Sequence, residues 1–316
     1  MIEQRLGLTE AQSVYLADCS ARGESVRTIE GKDSNLAAFI RWCGQHHIVY
    51  CQDLDRATLE WYRGYVSQYV DPHRHHKLDI ATQRNRLTAI KVFLKRLQYL
   101  GLLERNPADF FELPSVPHRI AKAVLSEAEI ELILRHALLY GDKGVRDRAI
   151  LETFYATGIR RMELGRLVMT DVDAASEVVR IHGGKGGKDR RVPIARRACD
   201  WIERYLRDIR PKHAHQLTGP TLFLSTQGSP LRPGQLSRLA GKYIHRAGVN
   251  KPGACHLWRH SAATLMLENG AGLRQIQEML GHSSITTTQL YTHVTIRQLK
   301  EVYSRCHPAA RKAGSQ

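Results

Sequence analysis

Residues 256–293 read HLWRHSAATLMLENGAGLRQIQEMLGHSSITTTQLYTH, and this stretch decides both the fold and the chemistry. His256 and Arg259 stand three apart, so a helix presents them on neighbouring positions of one face. Ala262, Leu265, Met266 and Leu267 follow at helical spacing and are expected to pin that helix into a core, with Asn269-Gly270 as its left-handed stop. A second amphipathic run, Leu273, Ile276, Met279 and Leu280, ends at Gly281 and delivers His282 to a helix terminus. Ser283-Ser284 and Thr286 to Thr288 open a further short element that presents Tyr291. A His, an Arg, a second His and a Tyr in so short a span are what phosphoryl transfer without a metal requires.

Each residue alone has a plainer reading. A single His on a helix is more often structural than catalytic, and Tyr291 is one of 12 tyrosines. His256 and His260 lie four apart, as in a zinc pair, but no Glu stands in the metalloprotease position and no third ligand is evident. No metal site is expected.

Composition narrows the partner. The 316 residues and 42% hydrophobic content suffice for two packed domains, and the formal charge of +16 calls for a polyanion. Up to Arg119 there are 16 Lys and Arg against 14 Asp and Glu; beyond it there are 31 against 17, so the second half carries the electrostatic footprint. With no long apolar span, signal-peptide pattern or lipidation motif in the sequence, nucleic acid is the expected partner and a membrane is not. Cys19, Cys43, Cys51, Cys199, Cys255 and Cys306 form no CxxC pair and read as reduced thiols of a cytosolic protein.

Residues 1 to about 25 show weak patterning and read as a loosely held arm. Helices are expected from Ser25 to Cys43 (Val26, Ile29, Leu36, Phe39, Ile40 and Cys43 inward), from Asp53 or Asp55 through Leu59, Tyr62, Tyr65, Val66 and Tyr69, and from Thr82 to Tyr99 (Leu87, Ile90, Leu94 and Leu97 inward). The last carries Arg84, Arg86, Lys91, Lys95 and Arg96 with no negative charge. That is either a solvated face or a face laid against a phosphate backbone, and the basic context favours the second. His73, His75 and His76 read as a histidine-rich loop. Asn106-Pro107, Pro114 and Pro117 mark a linker into a second domain, which opens with a capping box at Ser126-Glu127-Ala128-Glu129.

In that domain a helix over Val145 to Tyr155 runs to Thr157-Gly158, and Gly158 turns the chain so that Arg160 falls in the first turn of the next helix. Arg160 there suits a bound phosphate and Glu163 can orient it; a simple surface ion pair fits the same residues. Val178 to Ile181 and Arg191 to Ile194 flank GGKGGKD as a hairpin with Lys185 at its tip, and Thr221 to Leu224 is expected to add a third strand. No Lys-Ser/Thr helix follows the glycines, so this is no phosphate-cradling P-loop.

Arg160, Lys185, the HxxR of His256 and Arg259, the LGH ending at His282 and the late Tyr291 occur in an order and spacing that resembles the tyrosine recombinases, or phage-type integrases, and especially their Xer-like branch. The resemblance implies a mainly α (α+β) fold: a helical core-binding domain over residues 1–117 that clamps DNA, and a catalytic domain over 118–316 with a small three-stranded antiparallel sheet. It implies a site-specific recombinase that cuts and rejoins duplex DNA through a 3′-phosphotyrosyl link. Tyr291 would be the nucleophile, Arg160 and Arg259 the clamp on the non-bridging oxygens, and His256 a proton acceptor or phosphate donor. His282 would be a further donor, Lys185 the general acid and Glu163 a support for the first Arg, with Arg84, Arg86, Lys91 and Lys95 on DNA. Lys188 competes with Lys185 for the acid role, and Trp258 inside HxxR departs from the family's pattern. No cofactor or metal is implied; the partners are paired DNA sites and a homo- or hetero-tetramer, in the cytoplasm and on the nucleoid. The segment Ile296, Leu299, Val302 and Tyr303 would dock on a neighbouring protomer or on its own domain. The rivals are a type IB topoisomerase-like relaxing enzyme and a DNA-binding protein without catalysis.

Overall fold

The computed structural model of the chain describes residues 5–72, 75–116, 123–183, 189–281 and 296–310. The chain divides into two compact units, Met1–Arg119 and Ile120–Gln316.

The first unit is helical: α1 (Leu8–Ala21), α2 (Val26–Gln45), α3 (Arg56–Gln68) and α4 (Ile80–Tyr99). Each of the last three starts where a short polar side chain takes over an orphaned backbone donor. Ser25 accepts from Thr28 N at 3.2 Å, Asp55 from Thr58 N at 2.7 Å and Asp79 from Thr82 N at 2.7 Å. The expected arm is instead α1, whose Leu8, Ala11, Tyr15 and Cys19 are buried. Its apolar stripe is one residue wide and uses Ala, Tyr and Cys, so it reads weakly in sequence although Tyr15 meets Phe93 edge-on at 5.3 Å. Leu36, Phe39 and Cys43 of α2 and Leu87, Ile90, Leu94 and Leu97 of α4 point inward as expected, whereas Val26 and Tyr65 are exposed.

The proline-rich segment after α4 belongs to this core as far as Phe111: Ala108 and Phe111 are buried. Two of the basic residues of α4 hold it there, Lys91 donating to Phe111 O and Arg84 to Pro114 O, both at 2.7 Å. Arg86 lies over the Tyr69 ring, Arg96 pairs with Asp18 at 2.5 Å and Lys95 is exposed. Of the histidine-rich loop, His73 lies outside the described residues.

The second unit runs α5 (Glu127–Ala137), α6 (Gly141–Thr157), α7 (Arg161–Leu164), β1 (Val172–Asp173), β2 (Val178–Ile181), β3 (Arg190–Pro193), α8 (Arg196–Asp208), α9 (Pro233–Arg246), α10 (Cys255–Glu268), α11 (Leu273–Leu280) and α12 (Ile296–Cys306). The Ser126 and Glu129 capping box opens α5 as expected. Helix α6 is the central element, buried from Gly144 to Thr157.

The antiparallel sheet has the order β1-β2-β3, with Val179 opposite Val192. Its third strand is β1, not Thr221 to Leu224. That segment is mostly buried, but Leu222 N bonds to Leu167 O and Leu224 N to the Tyr205 hydroxyl, and it makes isolated bridges, Thr221 to Val168 and Leu224 to Pro230, rather than a ladder. A two-residue strand such as β1 is too short for period-two patterning to reveal. No described helix is long and apolar enough to cross a membrane.

Candidate active site

Two helix ends meet at the site, and each is closed by a glycine in the left-handed region. Helix α6 stops at Gly158 (φ 58°) and α11 at Gly281 (φ 65°). A side chain at either position would be strained and crowded, since a Cβ on Gly158 would lie 2.7 Å from Leu280 Cδ2.

Arg160 sits two residues beyond Gly158. It is not in the first turn of a helix as expected but just before α7, in an extended conformation (φ −76°, ψ 149°). From there its backbone N–H and its Nη1 both donate to Glu163, at 2.8 and 3.0 Å, which fixes the base of the side chain and its tip to one carboxylate. Its Nη2 donates to Gly281 O at 2.8 Å.

Arg259 comes from the first turns of α10. It is buried, and it donates from Nη1 to Gly158 O at 2.6 Å and from Nη2 to Leu280 O at 2.8 Å. Among the described residues no carboxylate pairs with it. Burial, with Arg160 nearby, pushes its guanidinium down to about 10, so it stays charged at neutral pH in a place that disfavours charge. An anion arriving there would relieve that penalty.

A third arginine joins them. Arg190, at the start of β3, faces Glu163 with both ends of its fork, Nη1 to Oε1 at 2.9 Å and Nη2 to Oε2 at 2.8 Å, and its Nε donates to Met279 O at 3.2 Å. Three guanidiniums therefore take three successive carbonyls, Met279, Leu280 and Gly281, at the carboxyl end of α11. The partial negative charge of a helix terminus attracts cations, which helps three of them stay together. Among the described residues Glu163 is the one carboxylate bonded to them. Burial drives it towards its neutral form, but the bonds from Arg190 and from the Arg160 backbone outweigh that and hold it at about 2. Three positive charges against one negative leave a site fitted to an anion.

The remaining expected residues fall differently. His256 is exposed one turn before Arg259 on α10. Trp258 between them is fully buried with its ring edge-on to Tyr155, so the unusual residue in HxxR is a core residue. Of the two apolar runs, Ala262, Leu265, Met266, Ile276, Met279 and Leu280 are buried, whereas Leu267 and Leu273 are exposed, because each lies at the far edge of its helix's stripe. Lys185, Lys188, His282 and Tyr291 lie outside the described residues. The strands leading to Lys185 are closed below it, where Gly183 N and the His182 ring both bond to Asp189. Among the described residues no group of three or more His, Cys, Asp or Glu is placed to hold a metal ion.

Arg190 is what sequence reading missed. It stood among the charged residues of a hairpin, and only its position opposite Glu163 reveals it.

A mainly helical domain in which one buried and two half-buried arginines converge on one helix end is fitted to a phosphate ester. A profile of the phage integrase family matches residues 123–298, more than half of the chain. The chain is 38% identical over 304 residues to tyrosine recombinase XerC 2 of Ralstonia nicotianae, which covers 96% of this chain and 87% of that protein. In fold it is similar to the XerH site-specific recombinase bound to difH substrate in a pre-cleavage complex (TM-score 0.64, 22% identity, 94% and 84% of the two chains covered). It is also similar to a lambda integrase tetramer bound to a Holliday junction (TM-score 0.68, 17% identity, 93% and 82% covered). The chain belongs to the phage integrase family, in the Xer-like branch of its tyrosine recombinases. It is a site-specific DNA recombinase, and these relatives favour neither the relaxing enzyme nor the silent DNA-binding protein.

Proposed function

We propose that Tyr291 is the nucleophile, that Arg160 and Arg259 clamp the non-bridging oxygens of the scissile phosphate, and that Lys185 protonates the departing 5′-oxygen. A bond forms between the tyrosyl oxygen and phosphorus as the bond to the 5′-oxygen breaks, leaving a 3′-phosphotyrosyl link and a 5′-hydroxyl. A phenol with an ordinary pKa near 10 is a poor nucleophile at neutral pH, and fixed cations ease its deprotonation while stabilising the charge that builds on the phosphate. His256 takes the phenolic proton or donates to the phosphate, His282 is a second donor, and Glu163 braces Arg160. No cofactor or metal enters the scheme. Because the link conserves the energy of the phosphodiester, a 5′-hydroxyl from a second duplex reverses the step and exchanges strands.

The observation that carries this reading is the seating of Arg160 and Arg259 on the consecutive carbonyls of Gly281 and Leu280, which gathers two fixed positive groups where His282 begins. The chain then works on paired duplex sites as a homo- or hetero-tetramer, in the cytoplasm and on the nucleoid, as the DNA-bound states of the XerH and lambda integrase relatives support. Residues 1–117 clamp the duplex and residues 118–316 cut it; exposed Lys95 meets the DNA backbone directly, and Arg84, Lys91 and Arg86 reach it by giving up Pro114 O, Phe111 O and the Tyr69 ring. The roles of element integration and excision and of dimer resolution both fit this chemistry.

The test is covalent capture. Wild-type protein incubated with genomic or flanking DNA is expected to yield an adduct whose attached ends give the target site. Tyr291→Phe is expected to bind a nicked suicide substrate carrying that site without forming an adduct. An adduct from the Phe variant would remove Tyr291 from the nucleophile's role.

A further inference from the structure

Arg190 is the most fully engaged of the three clustered arginines. Its fork spans both oxygens of Glu163, its Nε meets Met279 O, and its side chain is 15% exposed against 27% for Arg160. It also lies against Gly281, where a Cβ would come within 3.0 Å of its Cζ. Among the described residues its three hydrogen bonds tie together β3, α7 and the end of α11. The two oxygens of Glu163 that it holds are the same two that receive the side chain and backbone N–H of Arg160.

We propose that Arg190 is a positioning residue for the recombination reaction: through Glu163 and the last turn of α11 it sets the guanidinium of Arg160 and the point where the His282 segment leaves, without touching DNA. This rests on the reading of the site given under Proposed function. The physical need is specific. A carboxylate 7% exposed keeps its charge only if donors replace water. Facing Glu163 are Arg160 from the turn before α7, Arg190 from β3 and, at longer range, Arg259 from α10. Without Arg190, burial is opposed mainly by Arg160. A protonated Glu163 turns one acceptor oxygen into a donor, and Arg160 then loses part of its anchor. Only the planar fork of an arginine meets two carboxylate oxygens and a carbonyl at once; a lysine restores the charge at one point.

The test uses the full chain as wild type, Arg190→Gln and Arg190→Lys, with thermal melting to establish folding. Carbon NMR of the DNA-free protein follows the Glu163 carboxyl. Its titration is expected to stay low in the wild type and to move up towards the ordinary glutamate range in Arg190→Gln, with Arg190→Lys between them. On a nicked duplex carrying the site recovered from wild-type adducts, Arg190→Gln is expected to keep its affinity while the single-turnover rate of adduct formation falls by about 100-fold, the scale of a misplaced catalytic group. Arg190→Lys is expected to recover less of the rate than of the carboxyl titration. If Arg190→Gln does not fold, the same split is read from Arg190→Lys.

An unmoved Glu163 titration, a wild-type cleavage rate, or a loss of affinity in step with the loss of rate each overturns the proposal; the last would make Arg190 a DNA contact. Failure of the wild type to form any adduct counts against the function itself, and the DNA-free titration still decides whether Arg190 governs Glu163.

Discussion

Arg259 donates from Nη1 to the carbonyl of Gly158 at 2.6 Å, which places a buried positive charge against the turn that leads into Arg160. Its other arm holds Leu280 O, so one side chain fastens the end of α6 to the end of α11. From sequence alone, substituting either clamp arginine should spare the fold. The geometry separates them. Arg259→Ala leaves two carbonyls without their donor in a buried place, at a cost of about 1–3 kcal/mol. Arg160→Ala, at a more exposed position, costs less. Both are expected to abolish adduct formation, and urea denaturation is expected to show the larger loss for Arg259→Ala. Equal midpoints for Arg259→Ala and wild type would mean that the two carbonyl bonds do not hold these helix ends together.

Gly281 and Gly270 allow a matched comparison. Each ends its helix with positive φ, 65° and 85°, so alanine at either costs about 1–2 kcal/mol of backbone strain. A Cβ on Gly270 meets nothing within 4 Å, whereas on Gly281 it meets the Arg190 guanidinium at 3.0 Å. Gly270→Ala is therefore expected to lower the melting temperature and leave the adduct rate per folded molecule unchanged. Gly281→Ala is expected to lower both, because it pushes on Arg190 and moves the carbonyl that Arg160 holds. Equal rates for the two variants would sink this account of the arginine cluster.

Why some of this could be read in sequence and some could not follows from the range of the forces involved. Ser126 with Glu129 and Gly158 with Gly281 act over a few residues, so their spacing carries their meaning, and the structure places them as expected. The order of Arg160, Lys185, His256, Arg259, His282 and Tyr291 carried the resemblance to the family. Arg190 has no local signature, since its partner Glu163 is 27 residues away and its third bond reaches Met279 across 89. Helix α1 was hidden because Tyr15 and Cys19 count as weak apolar residues until Phe93 is seen beside Tyr15. Thr221 to Leu224 misled in the opposite way: it is as apolar as a strand, but its backbone bonds go to Leu167 and to the Tyr205 hydroxyl.

Helix α12 packs on its own domain in this single chain, with Leu299, Tyr303 and Cys306 buried, and its end locks onto α6. Tyr303 donates to Ala156 O at 2.8 Å. His307, fully buried between the rings of Tyr155 and Tyr303, bonds through Nε2 to Tyr155 O at 2.9 Å and accepts from Ala309 N at Nδ1. That pattern requires the neutral imidazole with its proton on Nε2. Burial pushes His307 down to about 4 from its ordinary 6.5, so the folded state resists a proton that the unfolded chain accepts. The stability this group allows is intact above about 6.5 and is lost as pH falls towards 4, by about 3 kcal/mol in all. The carbonyls that His307 and Tyr303 hold, Tyr155 O and Ala156 O, lie in the last turn of α6, just ahead of Gly158 and Arg160, so loosening α12 loosens the arginine site. Hydrogen exchange over residues 296–306, corrected for intrinsic rates, is expected to speed up between pH 6.5 and 4.5. His307→Gln keeps a donor for Tyr155 O but does not titrate, and is expected to flatten that dependence. An unchanged pH profile in His307→Gln would show that acid acts on α12 through some other group.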